Sequence, residues 1–270
     1  MENFLQALTG TDKTIIGCVH LLPLPGTPQH DAAGGLRRIA ALAREDAKRL
    51  VQGGIDALLF VNEGDRPYAP QADQAAVAAM AAVVAAVAPE VSVPYGANVL
   101  VDPAAAIAIA HATGGRFIRG FVAGGFIPGL GPVQARAPEI LRLRRLWGAE
   151  EVGLICNLTS GLGVAEEPGA RAEGAAGTVF NALVDALCVP GPGAGVPVRA
   201  ERLREVRRAA PSLPVLVGTG LTPGNAAELL AEADGAIVGT SLKVDGQIFN
   251  PVDEQRVRAL MREVEQIRRR

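Results

Sequence analysis

Several side chains capable of chemistry stand directly after β-branched runs. His20 closes the run 14–20, where an imidazole can exchange protons or hold a ligand. A ring merely satisfied by a backbone carbonyl fits the same position. Asn62, Glu63 and Asp65 follow the run 55–62. The two carboxylates could bind a divalent cation or pass protons, and Asp65 could equally cap the turn before Arg66-Pro67. Asn98 and Asp102 follow 93–99, Arg119 falls in 117–122, and Asn157, Thr159 and Ser160 close 152–157. Asn98 and Arg119 suit the orientation of a polar substrate. Three glycine-rich turns come later: 190–195, then Gly218-Thr219-Gly220, then Gly239-Thr240-Ser241 ahead of Lys243. Glycine lets a backbone approach an anion, and free N–H groups at a helix start bind one. The plain alternative is that these glycines only make tight turns.

The elements that must position these residues repeat one pattern. Candidate strands at 14–20, 55–62, 93–99, 117–122, 152–157, 183–189, 214–218 and 235–239 alternate with candidate helices at 35–52, 73–87, 103–113, 132–147, 169–181, 200–210, 223–231 and 253–269. Such alternation implies a parallel sheet with crossover helices. Eight units without a long linker favour one closed (β/α)8 TIM barrel spanning 1–270 over an open doubly wound sheet. The turn after the first strand, Leu21 to Gly26, is proline-rich, so it cannot offer the N–H groups of a dinucleotide-binding turn. In a barrel, the chemistry sits on loops at the C-terminal strand ends, and loops seven and eight are the usual phosphate site. Gly218, Thr219, Gly220, Gly239, Thr240 and Ser241 are thus the expected phosphate-binding residues. His20, Asp65, Asn98 and Arg119 are the expected reaction residues, converging with Asn62 on one pocket.

Composition narrows the function classes. Of 270 residues, 49% are apolar and 20% charged, which excludes a disordered chain. With 26 basic against 28 acidic residues, general nucleic-acid binding is not expected. The longest apolar run, 75–88, has 14 residues and is mostly alanine, too short to cross a bilayer. The opening Met-Glu-Asn-Phe-Leu carries no basic leader, so a cytoplasmic location is expected. Cys18, Cys156 and Cys188 lie in separate apolar runs with no metal-ligand spacing, which predicts reduced, buried thiols, no disulfide and no structural zinc. Asp185, early in its strand, reads as structural. No lysine ends a strand before the eighth, which disfavours Schiff-base chemistry. The cofactor is left open. Stretches 74–89 and 103–115 carry no formally charged residue. That predicts a homo-oligomer packed through the helices of the second and third units, although alanine is also simply a strong helix former.

The run from Ile16 to Pro28, Ile-Gly-Cys-Val-His-Leu-Leu-Pro-Leu-Pro-Gly-Thr-Pro, resembles the signature opening of the BtpA/SgcQ family. The similarity continues through Gly54-Ile55-Asp56-Ala57, Gly64-Asp65, Asn98-Val99-Leu100 and Phe117-Ile118-Arg119. It is strongest over Gly218 to Pro223, Ala233-Asp234-Gly235, and Asn250 to Asp253. The resemblance spans about 14–261 and implies a barrel of the ribulose-phosphate-binding kind. It also implies kinship with proteins linked to photosystem I biogenesis and to a sugar-utilisation gene cluster. Departures fall among the polar positions. The family's Glu-Asn-x-Gly-Asp reads Val61-Asn62-Glu63-Gly64-Asp65; its Leu-Arg-Asn-Asp reads Leu100-Val101-Asp102-Pro103; its Arg-Val-Asn reads Arg119-Gly120-Phe121. Ile127-Pro128 replaces Thr-Asp, and Cys156-Asn157-Leu158 replaces Ala-Asp-Val. Two functions are therefore expected as alternatives. One is an isomerase, lyase or hydrolase acting on a small phosphorylated sugar or nucleotide-like metabolite. The other is a non-catalytic assembly factor on the same barrel.

Overall fold

Apolar residues alternate along each strand, and the alternation sorts them into two cores. The computed structural model describes residues 3–123, 125–126, 133–134, 136–158, 177, 179 and 182–270. Within it a closed parallel barrel is formed by β1 (Thr14–His20), β2 (Ala57–Val61), β3 (Tyr95–Asn98), β4 (Phe117–Gly120), β5 (Gly153–Asn157), β6 (Ala186–Val189), β7 (Val215–Val217) and β8 (Gly235–Val238). Neighbours around the barrel follow chain order, and β8 closes it against β1 through Ile16↔Ile237. The fold is a (β/α)8 TIM barrel. The surrounding helices are α2 (Gly35–Gln52), α3 (Gln74–Val87), α4 (Pro103–Thr113), α5 (Ala137–Leu146), α6 (Ala200–Ala209), α7 (Ala226–Glu232) and α8 (Glu254–Arg268). Nearly all of the helix expected over 169–181, and the loop residues Thr159 and Ser160, lie outside the described residues.

One strand face fills the barrel with Ile16, Cys18, Leu59, Val61, Phe117, Ile155, Cys188 and Leu216. The other face, including Ile15, Val19, Leu58 and Phe60, packs against the helices. An additional helix, α1 (Phe4–Thr9), is absent from the sequence expectation. Asn3 and Gln6 close a capping box at its start, and Gly10 ends it in the left-handed region. Its Phe4, Leu5 and Leu8 join the inner core, so α1 plugs the end opposite the loops expected to react.

Three aspartates repeat one device at that plugged end. Asp56 accepts from Ile15 N (2.7 Å), Asp185 from Leu154 N (2.7 Å) and Asp234 from Val215 N (2.9 Å). Each stands just before an even-numbered strand and holds the start of the preceding one. The Ile-Asp-Ala and Ala-Asp-Gly motifs are therefore structural, as the position of Asp185 suggested. At the opposite end, Lys243 is 1% exposed and pairs with Asp46 of α2 at 2.5 Å. The other Asp46 oxygen accepts from Val252 N at 2.7 Å. This buried pair ties the segment after β8 to the outer helices. Among the described residues, no helix is long and apolar enough to cross a membrane.

Candidate active site

The barrel mouth is a cavity lined from all eight strands. Inward residues follow the period-two pattern of each strand: Cys18 and His20 from β1, Val61 and then Glu63 from β2, Asn98 from β3, Arg119 from β4 and Asn157 from β5. The far wall is made by Ala194, Gly195, Gly218, Thr219, Gly220, Gly239, Thr240 and Ser241. His20, Asn98, Arg119 and the glycine-rich turns thus share one cavity.

Asn62 and Asp65 do not line that cavity. Asn62 has the parity of Leu58 and Phe60 and turns away from the pore. Its Oδ1 accepts from Leu100 N (2.8 Å), and its Nδ2 donates to Asp65 Oδ2 (3.0 Å). Asp65 Oδ1 accepts from Leu24 N (2.8 Å), so both carboxylate oxygens are used. The pair ties the first three loops together and clamps the proline-rich turn, whose Leu21 and Leu24 are each 1% exposed. Asp65, expected among the reaction residues, thus sits against these loop partners and not in the cavity lining.

Glu63 takes the carboxyl place in the cavity. Burial raises its pKa, partly opposed by a bond from the Tyr68 hydroxyl at 3.2 Å and by the charge of Arg119. The signal was present in the sequence, since 63 shares the inward parity of 59 and 61.

His20 is held as a neutral ring. Nδ1 donates to Ile248 O at 3.4 Å, which leaves Nε2 as the acceptor. Burial, then the charge of Lys243, push its pKa down to about 3, with Arg119 adding to the effect. Gly239 makes room for this ring: a Cβ there would lie 2.7 Å from His20 Cε1. Arg119 donates through Nε to Asn157 Oδ1 (2.9 Å), and Asn98 Nδ2 donates to Arg119 O (2.6 Å). The three cysteines are buried, and burial pushes Cys18 up to about 12 and Cys156 to about 11. Such thiols are protonated and unsuited to nucleophilic attack.

On the opposite wall the Thr219 and Ser241 hydroxyls are engaged within the loops themselves. Thr219 Oγ1 accepts from Gly191 N (2.7 Å) and donates to Val196 O (2.8 Å). Ser241 Oγ donates to Leu221 O at 2.7 Å. Asn225 bridges the seventh loop by accepting from Thr222 N and donating to Gly220 O. Backbone remains for a ligand as well. The N–H groups of Thr219 and Gly220 donate to no acceptor among the described residues. The short turn Thr240–Leu242 begins its bonding with Leu242 N to Gly239 O, so the Thr240 and Ser241 N–H groups precede any helical carbonyl they could reach.

Residues 11–266 match the BtpA family. The chain is 36% identical over 267 residues to the putative sgc region protein SgcQ of Escherichia coli, covering 99% of this chain and 100% of that protein. The chain belongs to the BtpA family. Another BtpA relative is the photosystem I biogenesis protein of Synechocystis, 32% identical over 254 residues, with 93% of this chain and 88% of that one covered. Among solved structures, (S)-3-O-geranylgeranylglyceryl phosphate synthase from Thermoplasma acidophilum superposes with a TM-score of 0.59 at 14% identity, covering 98% and 100% of the two chains. Phosphoribosyl anthranilate isomerase from Thermus thermophilus gives 0.58 at 16%, covering 94% and 100%. Both show the barrel fold. Against the BtpA pattern, the carboxyl expected at position 61 is displaced: Val61 lines the cavity, and Glu63 returns a carboxyl two residues later on the same face.

Proposed function

We propose that this BtpA-family barrel binds a small phosphorylated metabolite and moves a proton on it, as an isomerase or lyase. The phosphate rests on the N–H groups of the seventh and eighth loops beside Gly195. The reacting carbons lie over the barrel floor. The Glu63 carboxyl takes and returns the proton, His20 Nε2 accepts a hydrogen bond from a substrate hydroxyl, and Arg119 and Asn98 orient the substrate. The observation that carries this reading is the meeting, in one cavity, of unused loop N–H groups with a neutral imidazole, a carboxyl of raised pKa and a fixed guanidinium. The two barrel neighbours are named for a phosphate ester and a phosphoribosyl compound, which supports the same ligand class.

The test is proton NMR in deuterium oxide with a panel of sugar phosphates. Loss of a carbon-bound proton signal in wild type, abolished in Glu63→Gln, is the expected result. Binding without exchange for every compound overturns the proton-transfer role and leaves a receptor, in line with the biogenesis role named for the Synechocystis relative. No binding at all overturns the phosphate reading.

The chain also self-associates in this proposal, through α3 and α4, which pack side by side. Ala78, Ala82 and Ala85 face outward, whereas Ala79 is 5% exposed and belongs to the core. Ala82→Arg is therefore the informative variant, and light scattering should show it as a smaller species than wild type. A monomeric wild type at micromolar concentration contradicts this arrangement.

A further inference from the structure

Arginines inside this fold are normally neutralised. Among the described residues six are half-buried: Arg44, Arg49, Arg119, Arg144, Arg202 and Arg268. Five of them meet a carboxylate, namely Glu90, Glu45, Asp185, Glu205 and Asp56, at no more than 4.0 Å. Arg119 is the sixth, and among the described residues no carboxylate lies within 4.0 Å of it. It is also fixed. Its Nε is committed to Asn157, its carbonyl is gripped by Asn98, and the Cys188 sulfur lies within its hydrogen-bonding reach. A guanidinium withdrawn from water without a counterion is costly, and one held rigidly has no route back to solvent.

The carboxyl sharing the cavity does not discharge it. Glu63 forms no ion pair with Arg119 within 4.0 Å, and its Oε1 accepts from the Tyr68 hydroxyl. The phosphate loops cannot reach the role either, because they stand on the opposite wall, after β7 and β8, while Arg119 rises from β4. A neutral carbonyl or hydroxyl on the ligand would leave the cation unpaired in the bound state. A permanent second anion would not.

Resting on the phosphate site proposed above, we infer that the ligand is a phosphorylated carboxylic acid, whose carboxylate pairs with Arg119 while its phosphate occupies the seventh and eighth loops. A planar guanidinium lining the cavity suits a carboxylate.

Isothermal titration with two probes of the same skeleton tests this. 3-Phosphoglycerate carries the carboxylate, and glycerol 3-phosphate replaces it with a hydroxymethyl group. Wild type should bind 3-phosphoglycerate roughly tenfold or more tighter, the ratio expected of a hydrogen-bonded charge pair. Arg119→Gln should bring the two affinities together by weakening 3-phosphoglycerate far more than glycerol 3-phosphate, with a cooperative urea-unfolding transition certifying the fold. Arg119→Lys, which keeps the charge but not the fork, should retain part of the preference. Equal affinity of wild type for both probes overturns the inference and leaves the phosphate site standing. Failure of both probes to bind overturns both together.

Discussion

Gly220→Ala is the sharpest perturbation of the phosphate wall. Gly220 has φ +76, and a Cβ there would lie 2.3 Å from both Pro197 N and Pro197 Cα. Those are backbone atoms of the sixth loop and cannot rotate aside. To reach ordinary contact at 3.4 Å the seventh loop must retreat by about 1 Å. An N–H bonding a phosphate oxygen at about 2.9 Å would then stand near ~3.9 Å, beyond hydrogen-bonding range. Hydrogen bonds to charged groups contribute about 1.5–3 kcal/mol, so losing one weakens phosphate-ester binding by about 10- to 150-fold. The left-handed backbone adds about 1–2 kcal/mol of folding cost. Two controls separate these effects. Gly10→Ala, at φ +70 with nothing within 4 Å, carries the backbone strain alone and should leave affinity unchanged. Gly224→Ala meets only Thr222 Oγ1 at 3.9 Å and should change neither property. The assay is titration calorimetry with glycerol 3-phosphate, beside urea unfolding. Wild-type affinity in Gly220→Ala would refute the placement of the phosphate.

Other perturbations test the surroundings of the site. Lys243→Met should lower stability by about 3–5 kcal/mol and the melting temperature by about 6–10 °C, because Asp46 is left buried against Val252 N without its cation. A neutral result in urea unfolding would show that the pair contributes nothing. Asp65→Ala should lose stability through the released Leu24 and Asn62 donors, yet exchange substrate protons at the wild-type rate once folded. Loss of exchange in a folded Asp65→Ala protein would restore a direct reaction role. His20 has a folded-state pKa of about 3, below its ordinary value of about 6.5, so the unfolded chain binds the extra proton between those limits. Its contribution to stability is therefore intact above pH ~6.5 and lost as pH falls towards 3. His20→Gln should shallow the acid side of the stability profile, and an unchanged slope would contradict the buried neutral ring.

Most of the architecture was legible because a parallel barrel repeats one unit. Alternating β-branched runs and helical stretches gave all eight strands. His20, Asn98 and Arg119 were picked out by standing at C-terminal strand ends, and parity agrees, because 16, 18 and 20, or 117 and 119, must share a face. Parity was not part of that expectation. It would have favoured Glu63 and turned Asn62 away, but beyond Gly64 the chain leaves the strand and Asp65 points where its loop contacts send it. The Lys243–Asp46 pair joins residues 197 apart in sequence, and no local pattern reports such a contact. The α1 plug escaped notice because six residues are too few for helical periodicity to show. The outward face of α3 was equally hidden: with alanine at 78, 79 and 82, composition cannot say which one is buried.

The central claim is that loop backbone beyond β7 and β8 receives a phosphate. Amide chemical shifts of the isotopically labelled protein, followed while glycerol 3-phosphate is added, address it directly. The account predicts saturable shifts concentrated at Gly195, Thr219, Gly220, Thr240 and Ser241, with amides at the α1 end unmoved. Shifts confined to other surfaces, or none at millimolar ligand, would contradict it.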